Sequence, residues 1–175
     1  MFAYPAEIPY YFDMKQFQLN NLLDELSQPL FGFSYALCGD REEAQKLIVD
    51  AYTVYIVREK RFISGKELDS QNLKERRDFK KYLYKELLGE ILELALKRLT
   101  GHRVDTEVEE HKCFFTMGLF SRAVFYLKEI KGFTIEDIQE VFGLERHRAL
   151  EFYYNARQAM VGDIESLYRG GTHAN

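Results

Sequence analysis

Apolar residues return at helical intervals along most of this chain, and no sustained period-2 alternation occurs. After Gly39, the positions Ala44, Leu47, Ile48, Ala51, Tyr52, Tyr55 and Ile56 step by three and one, which lays one continuous apolar face along an α-helix. Asp40 stands as its N-cap, with Glu43 three residues on, the spacing of a capping box. Upstream, the pattern predicts a helix from about Asp13 to Leu26 and a short apolar one over Leu30–Leu37, separated by Pro29. A third long helix is expected over Leu73–Leu99, capped by Ser70, with Phe79, Leu83, Leu87, Ile91 and Leu94 as its stripe. Arg58 to Leu73 reads as a polar connection.

Gly101 to His111 carries Arg103, Asp105, Glu107, Glu109 and Glu110 and almost nothing apolar, as a linker would. The expected organisation is therefore a helical domain over 1–100, a linker over 101–112, a second helical domain over 113–170 and a tail over 171–175. Cys113–Ile130 has helical spacing, and Lys131-Gly132 ends it. Thr134 can cap a short helix, with Asp137 in the capping-box position and Ile138, Val141 and Phe142 as its inner face. Gly143 permits the positive-φ turn that two closely angled helices need. A longer helix begins near Glu145 and turns Ala149, Tyr153, Ala156 and Met160 inward. Short helix, glycine turn, longer helix is the outline of a helix-turn-helix, whose second helix enters the major groove by its N-terminal half. Arg146, His147 and Arg148 fall there, available to phosphates or guanine edges, and Arg157 lies further along beside the backbone.

Charge narrows the picture. The chain of 175 residues has 24 Lys plus Arg and 28 Asp plus Glu, a net of −4, so it is not uniformly basic. By segment the net is −5 over residues 1–50, +4 over 51–100 and −3 over 101–175. The positive stretch runs from Arg58 to Lys85. In it Arg76, Arg77, Lys80, Lys81 and Lys85 alternate with Phe79, Tyr82 and Tyr84. Cations that track a backbone and rings that stack on splayed bases hold single-stranded nucleic acid in this way. The competing account is a solvated charged face with its aromatics in the core.

These features together resemble the sigma-70 family of bacterial transcription initiation factors, in its small two-domain extracytoplasmic-function class. The stretch Leu30-Phe31-Gly32-Phe33-Ser34-Tyr35-Ala36-Leu37-Cys38-Gly39-Asp40, followed by Arg41-Glu42-Glu43-Ala44, is similar to the family's entry into its polymerase-binding helix. Phe79 to Lys85 looks like the start of the promoter-melting helix. Gly132-Phe133-Thr134-Ile135-Glu136-Asp137-Ile138, Gly143-Leu144 and Ala156-Arg157 match the C-terminal unit. The resemblance implies an all-α chain of two small helical domains that binds core RNA polymerase and promoter DNA, with an anti-sigma factor as a further partner. It places polymerase contacts at Asp40, Leu47, Ile48, Asp50 and Tyr52. It places DNA contacts at Arg76, Arg77, Lys80, Lys81, Tyr82 and Lys85 in the first domain and at Arg146, His147, Arg148 and Arg157 in the second. Glu86, Glu90 and Glu93 depart from the family's basic melting helix and would meet a phosphate backbone with like charge. That departure motivates an alternative: a sigma-shaped interaction protein that binds an anti-sigma factor or signalling partner in place of promoter DNA.

Nothing in the sequence speaks for catalysis, and no cofactor is expected. No nucleophilic triad or glycine-rich phosphate loop is legible. His102, His111 and Cys113 fit no zinc spacing, so no metal is expected either. Two cysteines suit a reducing compartment, no signal peptide is visible, and no apolar run approaches the ~20 residues of a membrane span, so a cytoplasmic location is expected. Tyr4, Tyr10, Tyr11 and Phe12 suggest an N-terminal arm or strap.

Overall fold

The computed structural model describes residues 9–59, 73–99 and 109–170, with side chains over 19–58, at 74, and over 76–99 and 113–161. Ser70, His102, Tyr4 and residues 101–108 and 171–175 lie outside the described residues. So do the side chains of Tyr10, Tyr11, Phe12, Glu109, Glu110 and His111.

The described residues are all-α, with no strand among them. Helices α1 (Pro9–Cys38), α2 (Arg41–Glu59) and α3 (Leu73–Leu99) make up the first half. The second half holds α4 (Glu109–Thr116), α5 (Leu119–Phe125), a π-helical turn (Tyr126–Ile130), α6 (Ile135–Phe142) and α7 (Arg146–Gly170). None of these helices is long and apolar enough to cross a membrane, among the described residues.

Three boundaries differ from the sequence pattern. Pro29 does not separate two helices; α1 runs through it. A proline inside a helix removes one backbone bond and crowds the carbonyl four residues back, at about 3 kcal/mol. Against that stand Leu22, Leu26, Leu30, Phe33 and Leu37, all buried along one face of α1. Each such side chain contributes about 1.5–3 kcal/mol on burial, so the face outweighs the local defect. Upstream of the proline, the Leu23 carbonyl also accepts from the Ser27 hydroxyl at 3.0 Å and the Tyr52 hydroxyl at 2.7 Å. Pro29→Ala is accordingly expected to raise stability by about 1 kcal/mol through the restored N–H, a gain partly offset by a freer unfolded chain. Urea midpoints of the two proteins at equal m-value check it.

The second difference lies at Met117-Gly118, where the expected helix over Cys113–Ile130 breaks into α4 and α5. The Thr116 hydroxyl bonds back to the Cys113 carbonyl at 2.7 Å, and Gly118 is extended at φ −62°, ψ 153°. A hydroxyl that competes for a backbone carbonyl is a known helix perturbation. Third, helix begins at Glu109, so the final residues of the expected linker belong to α4.

The two halves share one apolar core. Buried Leu47, Leu87 and Ile91 of the first half belong to the same cluster as Val124, Leu127 and Ile138 of the second. Phe33 of α1 stands between them, with its ring 6.0 Å from that of Tyr126 and 6.2 Å from that of Phe142. Tyr84 of α3 meets Phe133 edge-on at 6.2 Å. At Gly89 of α3 the backbones come close: a Cβ there would lie 2.9 Å from the Val141 carbonyl of α6. Only glycine lets the helices approach this far.

Candidate nucleic-acid interface

The helix pair of the second half is built as its residues require. Thr134 is extended and its hydroxyl accepts from the Asp137 N–H at 3.0 Å, while Asp137 accepts from the Thr134 N–H at 3.2 Å. The capping box is thus closed in both directions. Gly143 ends α6 in the left-handed region at φ 62°, where an L side chain would be strained. Its N–H returns to the Gln139 carbonyl, as does that of Leu144 at 3.2 Å. Ile138 and Ala149, both fully buried, fix α6 against α7.

This packing leaves Arg146, His147 and Arg148 exposed on the first turn of α7 and Arg157 exposed three turns on. The exposed cations are not all unpartnered. Arg146 Nη1 pairs with Glu136 of α6, across the turn. Arg148 Nη1 lies 2.8 Å from Glu151, and His147 Nδ1 lies 3.2 Å from Glu145. Arg157 has no carboxylate partner among the described residues. Tyr153, read as an inward residue, is half-buried and donates its hydroxyl to Glu129 at 2.5 Å.

The basic strip of α3 divides the same way. Arg76 and Lys80 both reach Glu25 of α1, at 2.9 and 2.6 Å. The hydrogen bond from Lys80, with Arg76 beside it, holds the Glu25 carboxyl below its usual range. Arg77 and Lys81 are exposed and make no ion pair within 4 Å among the described residues, although Lys81 shares a cleft with Asp78 and Glu86. The Tyr82 ring is exposed, 6.4 Å from that of Phe79. Lys85 turns away from solvent, its ammonium 2.9 Å from Asp137 and 2.5 Å from Glu140 of α6. Lys81, Tyr82, Lys85 and Glu86 of α3 and Glu140 and Val141 of α6 border a cleft of about 370 Å³.

Of the glutamates of α3, Glu90 is buried, whereas Glu93 is exposed. Glu86 and the buried Glu90 both turn to Arg58 of α2, at 3.6 and 3.1 Å, and Glu93 pairs with Lys97 at 3.6 Å. Glu90 is withdrawn into the contact that holds α2 against α3, while Glu86 stays partly exposed at the rim of the cleft beside Tyr82.

Of the residues assigned to polymerase, Leu47 and Ile48 are buried in the core and offer no side chain to a partner. They are corrected to core positions, since they fall on the inner face that packs α2 against its neighbours. Asp40 is exposed and caps α2 by accepting from the Glu43 N–H at 2.7 Å. Asp50 pairs with Arg98 of α3, and the Tyr52 hydroxyl is committed to the Leu23 carbonyl. Among the residues α2 presents outward are Val49, Thr53 and Val57, with the two valines 60 % and 64 % exposed. Their i, i+4, i+8 spacing was readable in the sequence; their exposure was not.

Asp137 joins these features, because it both caps α6 and receives Lys85 from α3. The Lys85 hydrogen bond, followed by that of Thr134, takes its carboxyl down to about 2. A depressed folded-state value means stability that is present above the ordinary carboxylate range and lost as pH falls through the folded value. Because the side chain is about a third exposed, we expect Asp137→Asn to cost about 1 kcal/mol near neutrality. The difference from wild type should close between pH 4 and about pH 2, which acid-unfolding curves of the two proteins will read.

No group of three or more metal-ligating side chains occurs among the described residues. Cys113 donates to the Ala159 carbonyl at 3.1 Å. No protein-family model matches the chain, and no curated protein matches it.

Proposed function

We propose that the chain acts as a sigma-like transcription factor, joining core RNA polymerase through the outer face of α2 and reading promoter DNA through α7, with no chemistry of its own. The observation that carries this reading is the capped α6, left-handed Gly143 and α7 that presents Arg146, His147 and Arg148 together at its N-terminal end. Arg77, Lys81 and the open Tyr82 ring on α3 supply a second strip suited to single-stranded DNA. Surface ion pairs such as Arg146–Glu136 contribute about 0–1 kcal/mol each, so phosphates can displace them. Gel filtration with core polymerase and promoter-directed run-off transcription test the proposal. Absence of both activities defeats it.

Two observations favour a second reading, that of a sigma-shaped interaction protein. Arg76, Lys80, Lys85, Arg146 and Arg148 each already face a carboxylate, and the halves that would have to reach separate promoter elements share one core. A protein partner such as an anti-sigma factor would then occupy the exposed faces. Tight binding to such a partner without polymerase association distinguishes it.

A further inference from the structure

A buried cation lies on the seam between the two halves. Arg122 of α5 is 4 % exposed, and its Nε and Nη1 are sealed from solvent with no hydrogen-bond acceptor. Its guanidinium carbon sits 5.6 Å from the centroid of the Phe115 ring, and that ring meets Tyr35 of α1 edge-on at 6.3 Å. Cys38, one turn beyond Tyr35 on α1, lies near enough to act on the guanidinium. It brings no negative charge: burial pushes its thiol up to about 11, and its S–H is directed at the carbonyls of Ser34 and Asp40, at 3.2 and 3.1 Å. On that same face of α1, the Ser34 hydroxyl is fully buried and also lacks a partner.

A guanidinium keeps its proton, so it cannot escape burial by neutralising. Taken out of water without a counter-charge, it is among the least favourable of buried groups, and the Phe115 face offsets only part of that. A buried water would satisfy one or two of its donors and leave the charge standing. An anion answers both requirements. We infer that Arg122 and Ser34 mark a binding site for a small monovalent anion between α1 and α5, the guanidinium supplying the charge and the serine hydroxyl a further donor. A single guanidinium matches a single negative charge. Phe115, edge-on to Tyr35, borders the site on one side. Because α1 belongs to the first half and α5 to the second, the bound anion ties the halves together. The site does not depend on the promoter-binding reading.

The test uses the full chain and chloride as the probe, exchanged for bulky gluconate at constant ionic strength. Wild-type Tm should rise saturably, by about 5 °C once chloride reaches roughly a hundredfold excess over its Kd. Arg122→Met, which keeps the volume and removes the charge, should melt at or above wild type in gluconate and show no chloride dependence. Ser34→Ala should move the chloride midpoint several-fold higher. The chloride-35 resonance should broaden with wild-type protein and narrow again on adding formate. Equal chloride responses in wild type and Arg122→Met overturn the site, as does a lower Tm for Arg122→Met in gluconate, which would mean that the charge is already compensated. If Arg122→Met does not fold, an unbroadened chloride-35 signal with wild-type protein overturns it alone.

Discussion

Leu127→Ala should lower the stability of the whole chain by about 3 kcal/mol, in a single transition. Leu127 is fully buried on the π-helical turn that follows α5, inside the cluster that also holds Leu47, Leu87 and Ile91. Truncation to alanine removes most of the side chain's transfer energy and leaves a cavity that the surrounding rings fill only in part. The helices there are held by contacts at fixed distances, Phe33 to Tyr126 at 6.0 Å and to Phe142 at 6.2 Å. The informative part is the shape of the curve. If the halves form one cooperative unit, far-ultraviolet circular dichroism and tyrosine fluorescence will shift together, because most tyrosines of known environment report on the first half and Leu127 lies in the second. Two separated transitions, with only the second displaced by the substitution, would refute the shared core as an energetic unit.

The second large effect is on DNA. Joint reversal of Arg146 and Arg148 to glutamate should weaken duplex binding at least ~100-fold, since each well-placed arginine contact is worth about 1–3 kcal/mol and reversal adds repulsion. The slope of log affinity against log salt should fall by about 2, one for each lost phosphate neutralisation. The complementary variant is as telling. Glu136→Gln with Glu151→Gln releases the two arginines from their partners at almost no cost to the fold, as both carboxylates are well exposed. It should therefore strengthen binding several-fold at low salt. Fluorescence anisotropy with a labelled duplex, over a salt series, measures both. Should neither pair of substitutions change retention, α7 does not read DNA and the interaction-protein reading gains.

Local patterning made much of this legible in advance. The bounds of α3 at Leu73–Leu99 follow from its apolar stripe and the polar stretch before it. The capping box at Thr134 and Asp137 and the left-handed Gly143 follow from side chains that act on their own backbone within a few residues. Pro29 and Gly118 show the limit of the same reasoning. A proline that breaks an isolated helix is carried through when five buried side chains hold both flanks, and a break at Met117-Gly118 has no apolar signature at all. In the candidate interface, the sequence orders the cations along the chain but is silent about their counter-ions. Glu25 is 51 residues from Arg76, and Asp137 is 52 from Lys85. Pairs that far apart are made by packing.

What the sequence determined alone is the all-helical character, the helix-turn-helix outline and the placing of basic side chains at the start of α7. These depend on hydrophobic period and capping chemistry, which operate within one or two helical turns. Tertiary structure decided the rest: that the two halves share one core, that Leu47 and Ile48 face inward, that Glu86 and Glu90 serve Arg58, and that Arg122 is buried without a counter-charge among the described residues. The reason is physical. A helical period says which side chains share a face, whereas burial and charge compensation depend on which other face arrives against it.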